Sequence, residues 1–485
     1  MSTVIIRDNK NNFNNICDFN NICDFNNNFN NNNFNNNNFN NNNFNNNNFI
    51  NNFNNNNFNN NFINNPNNNF NNNNNNNFNN NFSNFNNNFN NNNINNNFNI
   101  NFNNIFDNSN FNNNFQNFKI ELLNGFECSL GLSNIGSTCY MNATIQCLAH
   151  IPELTEQLIQ IYYNNKNNNF INYYQNHQLT VEYTLLLLRL FFPNNNNEKS
   201  FAPYNLKQII GCQDSLFSGN DAEDSKDLLI FLIETMNTEL NNGISPIYND
   251  IVKLGIDQHD KIQIKQTFLN EFFRKNKSSP LSNIFYGFTE TCTKCSRCER
   301  DRYNYECFNL LIFPLLEIKN WAIQNLNNNN FNNNQFKSFL SLKECFSFFQ
   351  KLDFYYGENQ NYCNDCCSLQ DCCSKRVIDR TPPVLVIILD RGLNNKSFKG
   401  DFYYEEILDL NDFVPKDTIS LYYLCGVISH FGESGPTGHF VAFCKMFSNS
   451  PWYFYNDSIV TQCNNANEVI SKGIPYILFY HCLNN

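Results

Sequence analysis

Apolar residues keep helical spacing through the first half of the region that is predicted to fold. From Asp224 to Leu240 they recur on one face of a 3.6-residue helix. The apolar run from Tyr183 to Phe192 stops at Pro193, which cannot continue a helix. These patterns predict that this half of the region is mainly helical.

The pattern changes after Ile284 to short runs that are rich in β-branched and aromatic residues and separated by turn residues. The predicted strands are Phe308–Pro314, Pro383–Leu389, Leu421–Ser429 and Phe440–Cys444. A run of helices followed by a run of strands is typical of the α+β fold class. We therefore predict an α+β protein.

Residues 1–115 follow neither pattern, because they are almost entirely Asn interrupted by Phe. Phe recurs every five residues from Phe34 to Phe49, a period that fits neither a helix nor a strand. We predict a disordered, Asn-rich N-terminal tail over 1–115 and a folded region that starts near Phe126. The tail is interpreted as dispensable low-complexity sequence, with weak self-association as the alternative. Similar Asn-rich inserts at 164–169, 194–197 and 327–334 are predicted to be surface loops.

Charge and composition narrow the classes of function. The chain has 31 Lys and Arg against 42 Asp and Glu, a net charge of -11, which argues against nucleic acid as a partner. The segment Met1–Arg7 lacks the apolar core of a secretory signal, and no apolar run is long enough to span a bilayer. We expect a soluble, monomeric protein of the cytoplasm or nucleus, without a membrane partner. Its 20 cysteines are then expected to be reduced thiols, metal ligands or a nucleophile.

Cys139 precedes a helical pattern of apolar residues that ends near Pro152. It is therefore expected in the first turn of a helix, where backbone N–H dipoles would stabilise its thiolate. Asn134 lies five residues earlier in a loop flanked by glycine, where its amide could donate to an oxyanion at an attacked carbonyl. Taken alone, Cys139 is as well explained as a small buried apolar residue and Asn134 as a turn residue.

His439 is one of six histidines and one of two in a glycine-rich context. It follows Gly438 and opens a predicted strand, and Asn456 follows an aromatic run seventeen residues later. A hairpin between them could return the amide oxygen of Asn456 to the ring N–H of His439. Taken separately, His439 is at least as well explained as a core histidine and Asn456 as a turn residue. Together with Cys139 they form a set that suits nucleophilic catalysis.

Two Cys-x-x-Cys pairs, Cys292 with Cys295 and Cys363 with Cys366, are predicted to bind one structural Zn²⁺ tetrahedrally. Other cysteines close enough in sequence to serve as alternative ligands are Cys298, Cys367, Cys372 and Cys373. The competing interpretation is a cluster of reduced thiols without a metal.

These motifs resemble those of the ubiquitin-specific proteases, a family of deubiquitinating cysteine proteases. Gly131–Asn142 is similar to the Cys box of that family. Tyr422–Gly432 and Gly438, together with Trp452–Asp457, are similar to its His box, and Ile474–Tyr480 is similar to its last strand. The resemblance covers roughly 126–482, and the tail lies outside it.

The resemblance implies a papain-like fold with a helical thumb, a β palm and zinc-ribbon-like β fingers. The corresponding divisions are 126–280 for the thumb, 281–380 for the fingers with both Cys pairs, and 381–482 for the palm with the His box. The family's zinc ribbon carries additional strands and a helix between its Cys pairs, which suits the long separation of the two pairs here.

The resemblance also implies roles for individual residues. Cys139 would be the nucleophile, His439 the base, Asn456 the group that orients the base and Asn134 the oxyanion donor. Asp457 is a second candidate for the orienting position. The implied activity is thiol-dependent hydrolysis of isopeptide or peptide bonds at the C-terminal glycine of ubiquitin, with ubiquitin and ubiquitinated proteins as partners.

A further similarity concerns substrate binding. The segment Glu223–Leu229 resembles the family's Gln-Asp box, so Asp224 and Asp227 would pair with arginines of the ubiquitin tail. Without the resemblance, both are equally well explained as acids that favour a helix N-terminus. Other classes also stay open: an inactive ubiquitin-binding scaffold, a protease for a ubiquitin-like modifier, and a Cys-His acyltransferase.

Overall fold

The structure is a computed structural model that describes residues 130–165, 170–193, 198–241, 259–277, 279–328, 339–392, 398–432 and 438–483. The predicted tail of residues 1–115 and the predicted start of the folded region at Phe126 lie outside the described residues. Most of each predicted Asn-rich loop, at 166–169, 194–197 and 329–334, lies outside them as well.

The first part of the described chain is built mainly from helices. In chain order the elements are β1 (Gly131–Leu132), α1 (Cys139–Ala149), α2 (Pro152–Asn165), α3 (Phe170–Asn176), α4 (Gln178–Phe191), β2 (Ser200–Phe201), α5 (Tyr204–Gln213), α6 (Ser225–Leu240), α7 (Lys261–Lys275) and α8 (Pro280–Phe285). The two helices predicted from apolar spacing are α4 and α6. Among the described residues, none of the helices combines the length and the apolar character that crossing a membrane requires.

Strands dominate the rest of the chain. The elements are β3 (Gly287–Cys295), β4 (Asp301–Phe308), β5 (Leu311–Pro314), α9 (Leu315–Asn328), β6 (Phe339–Ser341), α10 (Leu342–Phe349), β7 (Leu352–Tyr355), β8 (Asn361–Cys363), β9 (Ser368–Gln370), β10 (Cys372–Arg380), β11 (Val384–Asp390), β12 (Asp401–Tyr403), β13 (Ile407–Asp409), β14 (Leu421–Phe431), β15 (His439–Cys444), β16 (Tyr453–Asn456), β17 (Ile459–Gln462), α11 (Ala466–Ser471) and β18 (Ile474–Cys482). The predicted order of helices first and strands later is confirmed.

Two sheets contain most of these strands, while β6 with β12 and β8 with β9 form separate two-stranded sheets. The smaller of the two main sheets has the antiparallel order β4-β3-β10-β7 and carries the first Cys pair on β3, and the second pair lies at the hairpin of β8 and β9. The larger one runs β17-β16-β15-β14-β18-β11-β5, with β13 paired to β14. Its pairs are antiparallel except for β5 with β11. Six of the seven residues of β11 are buried, because this strand is covered on both faces.

Helix α1 is buried along its whole length and lies against the larger sheet. The Cys147 sulfur of α1 is 3.6 Å from the Cys444 sulfur of β15. At the end of α1, burial lowers the pKa of His150 to about 4, so its neutral ring accepts a 2.9 Å hydrogen bond from the Tyr455 hydroxyl of β16. These contacts fix α1 against β15 and β16, the hairpin that begins at His439 and ends at Asn456.

Candidate active site

A tight loop connects β1 to α1 and delivers Cys139 as the first residue of that helix, as predicted. The Asn134 side-chain oxygen accepts the backbone N–H groups of Gly136 and Thr138, at 3.2 and 3.0 Å. Gly136 and Ser137 take positive φ angles of 122° and 50°. The loop therefore winds around the side-chain oxygen of Asn134, and this conformation sets the position of the Cys139 sulfur.

Burial dominates the ionisation of Cys139, a residue that is only 6% exposed. Burial raises the pKa of the thiol above its ordinary value of 9.0, a hydrogen bond from the Phe440 backbone N–H lowers it, and the Asp457 carboxylate raises it again. Loss of hydration thus outweighs the backbone N–H groups that stabilise the thiolate. The thiol keeps its proton near neutral pH, and an attack on a carbonyl requires a base.

The raised pKa predicts slow alkylation of Cys139 by iodoacetamide in the absence of substrate. Only the thiolate reacts, so the rate is expected to increase as the pH rises through 9.0 and beyond. Peptide mass spectrometry between about pH 6 and pH 10 would measure the rate, with the exposed Cys212 as the reference thiol in the same samples. A fast rate at Cys139 that stays flat down to the lowest pH would contradict the prediction.

His439 and Asn456 meet across the hairpin of β15 and β16. The His439 Nε2 atom donates to the Asn456 side-chain oxygen at 2.7 Å, whereas Asp457 Oδ2 is 4.0 Å from the same nitrogen. Because an amide oxygen can only accept a hydrogen bond, this contact keeps the proton on Nε2. Nδ1 is then the nitrogen of His439 that remains to take a proton from a thiol.

Asp457 ties this hairpin to the loop that precedes Cys139. Its two carboxylate oxygens accept hydrogen bonds from the side-chain amides of Asn134, at 3.0 Å, and Asn142, at 2.8 Å. Its backbone oxygen accepts the N–H of Leu132 at 2.9 Å. A Cβ at Gly131 would come within 2.7 Å of that same oxygen, so only glycine permits this approach. Asp457 thus bonds to three points of the Cys139 segment.

The contacts of Asp457 define the position of two asparagines. Asn134, the predicted oxyanion donor, is oriented at both ends of its amide, because its nitrogen bonds Asp457 while its oxygen bonds the loop. Its role toward an oxyanion stays a prediction. The sequence interpretation missed Asn142, a buried residue on α1. A usable signal was present, since Asn142 follows Cys139 by three residues and therefore lies on the same face of the helix.

The two predicted substrate-binding acids differ in their surroundings. Asp224 caps α6 by accepting the Lys226 N–H at 2.8 Å, and the Tyr476 hydroxyl donates to its carboxylate at 2.7 Å. Asp227 is partly exposed, with a side chain that is 43% exposed and 3.7 Å from the Lys226 ammonium group. Burial raises the pKa of Asp227, and Lys226 lowers it in part. Of the two, Asp227 is the one whose carboxylate stays accessible to a cationic ligand.

Four thiols gather at the end of the smaller sheet in an arrangement that could hold a metal ion. They are Cys295, Cys298, Cys363 and Cys366, and their sulfur atoms all lie within 4.8 Å of one another. The Cys295 and Cys366 sulfur atoms are 3.9 Å apart, and the Cys298 and Cys363 sulfur atoms are 3.8 Å apart. Thiolates bound tetrahedrally to zinc at about 2.3 Å lie about 3.8 Å apart, so both the donor set and the spacing fit zinc.

The predicted ligand Cys292 is corrected to Cys298, which the sequence interpretation named as an alternative. Cys292 and Cys295 both belong to β3, and side chains three residues apart on a strand point to opposite faces. The turn that makes a chelating pair follows the strand instead. Positive φ angles of 56° at Glu299 and 52° at Cys367 occur directly after Cys298 and after the second pair.

Comparison with known proteins identifies the family. A model of the family described as "Ubiquitin carboxyl-terminal hydrolase" matches residues 130–480. Among curated relatives, Ubiquitin carboxyl-terminal hydrolase Usp2 of Drosophila melanogaster is 24% identical over 355 residues, which is 72% of this chain and 34% of that protein. Ubiquitin carboxyl-terminal hydrolase 4 of Saccharomyces cerevisiae strain YJM789 is 25% identical over 380 residues, covering 73% of this chain and 39% of that protein.

A solved structure shares the fold. It is that of the SAGA Ubp8/Sgf11/Sus1/Sgf73 DUB module bound to ubiquitin aldehyde, with a TM-score of 0.52 and 21% identity over 78% of this chain and 76% of that chain. The predicted fold class is therefore confirmed. The chain belongs to the ubiquitin carboxyl-terminal hydrolases, and within them it is a member of the ubiquitin-specific protease family of cysteine hydrolases. It spans 34% of the length of Usp2 and 39% of the length of the yeast hydrolase.

Proposed function

We propose that this chain is a deubiquitinase that hydrolyses amide and isopeptide bonds at the C-terminal glycine of ubiquitin. The observation that carries the proposal is the 2.7 Å hydrogen bond between His439 and Asn456, next to a buried thiol. A backbone hydrogen bond from Phe440, the residue that directly follows His439 in the chain, lowers the pKa of the Cys139 thiol. A nucleophile, a base and an orienting amide are thus neighbours in a chain of the matching family.

In the first half of the reaction, His439 Nδ1 takes the proton of the Cys139 thiol while the sulfur attacks the carbonyl carbon of the terminal glycine. Asn456 keeps the ring in the tautomer that makes this transfer feasible, by holding the proton on Nε2. The carbonyl oxygen becomes an oxyanion, for which Asn134 is the proposed donor. The C–N bond then breaks, the His439 proton passes to the lysine amine, and ubiquitin remains as a thioester on Cys139.

In the second half, water attacks the thioester. His439 takes a proton from the water, the C–S bond breaks, and the Cys139 sulfur leaves and recovers a proton from the imidazolium. Ubiquitin is released with a free carboxylate. The raised pKa of Cys139 makes His439 necessary in the first half, because a resting thiol does not attack without a base.

Other parts of the chain are proposed to bind rather than react. Asp227, and Asp224 together with it, would pair with arginines of the ubiquitin tail. Zn²⁺ held by the four thiols that include Cys298 would stabilise the fingers without touching the substrate. We further propose that the protein acts as a monomer on ubiquitinated proteins in the cytoplasm or nucleus, without nucleic acid or membrane. The net charge of -11 supports the exclusion of nucleic acid.

The test uses the full chain and ubiquitin with a fluorogenic amide at its C-terminus. We expect fluorophore release that is abolished in a Cys139→Ala control, and covalent labelling of Cys139 by ubiquitin with a C-terminal electrophile. Binding of ubiquitin without release or labelling would contradict the proposal in favour of a scaffold. Faster release from a ubiquitin-like modifier would reassign the substrate, and transfer of ubiquitin to an added amine in preference to water would indicate an acyltransferase.

A further inference from the structure

A second histidine lies beside the proposed base and is not part of the proposed catalytic set. His430 is the penultimate residue of β14, and β14 pairs with the strand that His439 opens. The register of this ladder places His430 opposite Phe440 and Phe431 opposite His439. His430 is thus held by the backbone pairing at the end of the sheet where the proposed chemistry occurs.

The His430 ring touches the residues on both sides of His439. A Cβ built on Gly438 would overlap the Nε2 and Cε1 atoms of the His430 ring, so the ring rests directly on the α-carbon of Gly438. On the other side, the His430 and Phe440 rings are 4.8 Å apart at an angle of 65°, an edge-to-face contact. The His430 ring therefore packs against the residue before His439 and the residue after it, and in this way supports the segment that carries His439.

Phe440 links the His430 ring to Cys139, the proposed nucleophile. Its backbone N–H is one of three, with those of Cys139 and Tyr140, whose hydrogen bonding lowers the pKa of the Cys139 thiol, and its contribution is the largest of the three. Its ring also meets the Tyr476 ring at 5.7 Å, and the Tyr476 hydroxyl bonds the carboxylate of Asp224. A shift of Phe440 would therefore move its N–H relative to the Cys139 sulfur. It would also move the start of β15, which carries His439.

We propose that His430 is a positioning residue, which acts by packing its ring against Gly438 and Phe440 so that His439 and the Phe440 N–H stay aligned on Cys139. The inference rests on the hydrolysis proposed above. His430 performs no proton transfer in this account. Misplacement of reacting groups by about 1 Å can cost about 10²-fold in rate, so a packing residue can have a large effect on turnover.

The experiment is a double-mutant cycle in the full chain with fluorogenic ubiquitin. His430→Ala is expected to lower kcat by about 10-fold to 10²-fold with KM changed less than about twofold, because substrate contacts are retained. Gly438→Ala is expected to lower kcat as well, since the new methyl group collides with the ring. In the double variant the collision is absent, so Gly438→Ala is expected to cost little more in the His430→Ala background.

Two controls separate positioning from loss of folding. The first control is His177→Ala, which removes another half-buried histidine. The His177 ring stacks on Tyr173 with centroids 4.4 Å apart and has no part in the proposed reaction. The kcat of this variant is therefore expected to be unchanged. Alkylation of Cys139 by iodoacetamide without ubiquitin is expected to slow several-fold in His430→Ala, since the Phe440 N–H no longer supports the thiolate. Far-UV circular dichroism and the melting temperature check that each variant is folded.

Several results would overturn the inference. They are a kcat of His430→Ala equal to that of the unmodified chain, additive effects of the two substitutions, or a raised KM with unchanged kcat, which would make His430 a substrate contact. If the unmodified chain does not cleave ubiquitin, the proposed function fails by itself. The alkylation rate at Cys139 then still decides the positioning role, because it needs no ubiquitin.

Discussion

Replacing Asn456 with alanine is expected to lower kcat by about 10²-fold or more while ubiquitin binding stays nearly unchanged. General acid–base catalysis by a positioned side chain contributes roughly 10²–10⁴-fold, and this contribution requires the correct tautomer of the base. In the structure, the tautomer of His439 is determined by one 2.7 Å contact with Asn456. Without it, the ring can rotate or carry its proton on Nδ1, and it then cannot accept the thiol proton.

The measurement is steady-state hydrolysis of fluorogenic ubiquitin, with binding determined by calorimetry in a Cys139→Ala background. Asn456→Asp is the matched control, because a carboxylate still accepts from Nε2 and is expected to retain most of the activity. Unaltered turnover in Asn456→Ala would move the orienting role to Asp457, which is 4.0 Å from the same nitrogen. Asp457→Ala would then be the variant that loses turnover.

Replacing Cys298 with serine is expected to abolish the proposed zinc binding by the four thiols and to destabilise the end of the smaller sheet. Each of the four thiols is needed to complete a tetrahedral site, and a hydroxyl is a poor replacement for a thiolate on zinc. We expect the zinc content to fall from about one per chain to near zero, with a loss of about 5 °C in Tm, given about 2–4 °C per kcal/mol.

Cys292→Ser is the matched control for this prediction. Cys292 is a buried residue of the same sheet, so its replacement is also expected to lower Tm through lost packing. Its zinc content, measured by inductively coupled plasma mass spectrometry, is expected to be unchanged. Loss of zinc from Cys292→Ser and retention in Cys298→Ser would restore the ligand set predicted from sequence and refute the set defined by the structure.

The two Cys-x-x-Cys choices show why sequence alone identified the metal motif but not every ligand. Cys292, Cys295 and Cys298 have equal spacing, so both overlapping pairs satisfy the motif. The choice depends on where β3 ends, and this strand continues through Cys295. The polar run from Ser296 to Glu299 was the available sign that the turn comes after Cys295.

Contacts that are close in sequence were predictable, and those that depend on distant burial were not. The meeting of His439 with Asn456 follows from one hairpin, in which the two residues are seventeen positions apart. By contrast, the raised pKa of Cys139 depends on how tightly α1 is covered by strands about 300 residues later, such as the contact of Cys147 with Cys444. The effect of the helix dipole on Cys139 can be inferred from the local pattern of apolar residues. The loss of hydration at Cys139 that is caused by strands far along the chain cannot.

The hydrogen bonds of Asp457 have a consequence for the order of events during protein synthesis. Asn134 and Asn142 emerge from the ribosome more than 300 residues before Asp457, to which both bind. Until Asp457 has been translated and its hairpin has docked, the loop around Asn134 lacks the partner that holds it. The Cys139 segment therefore lacks this support while the more than 300 intervening residues are translated, and the candidate active site is completed only after the hairpin of β15 and β16 has formed.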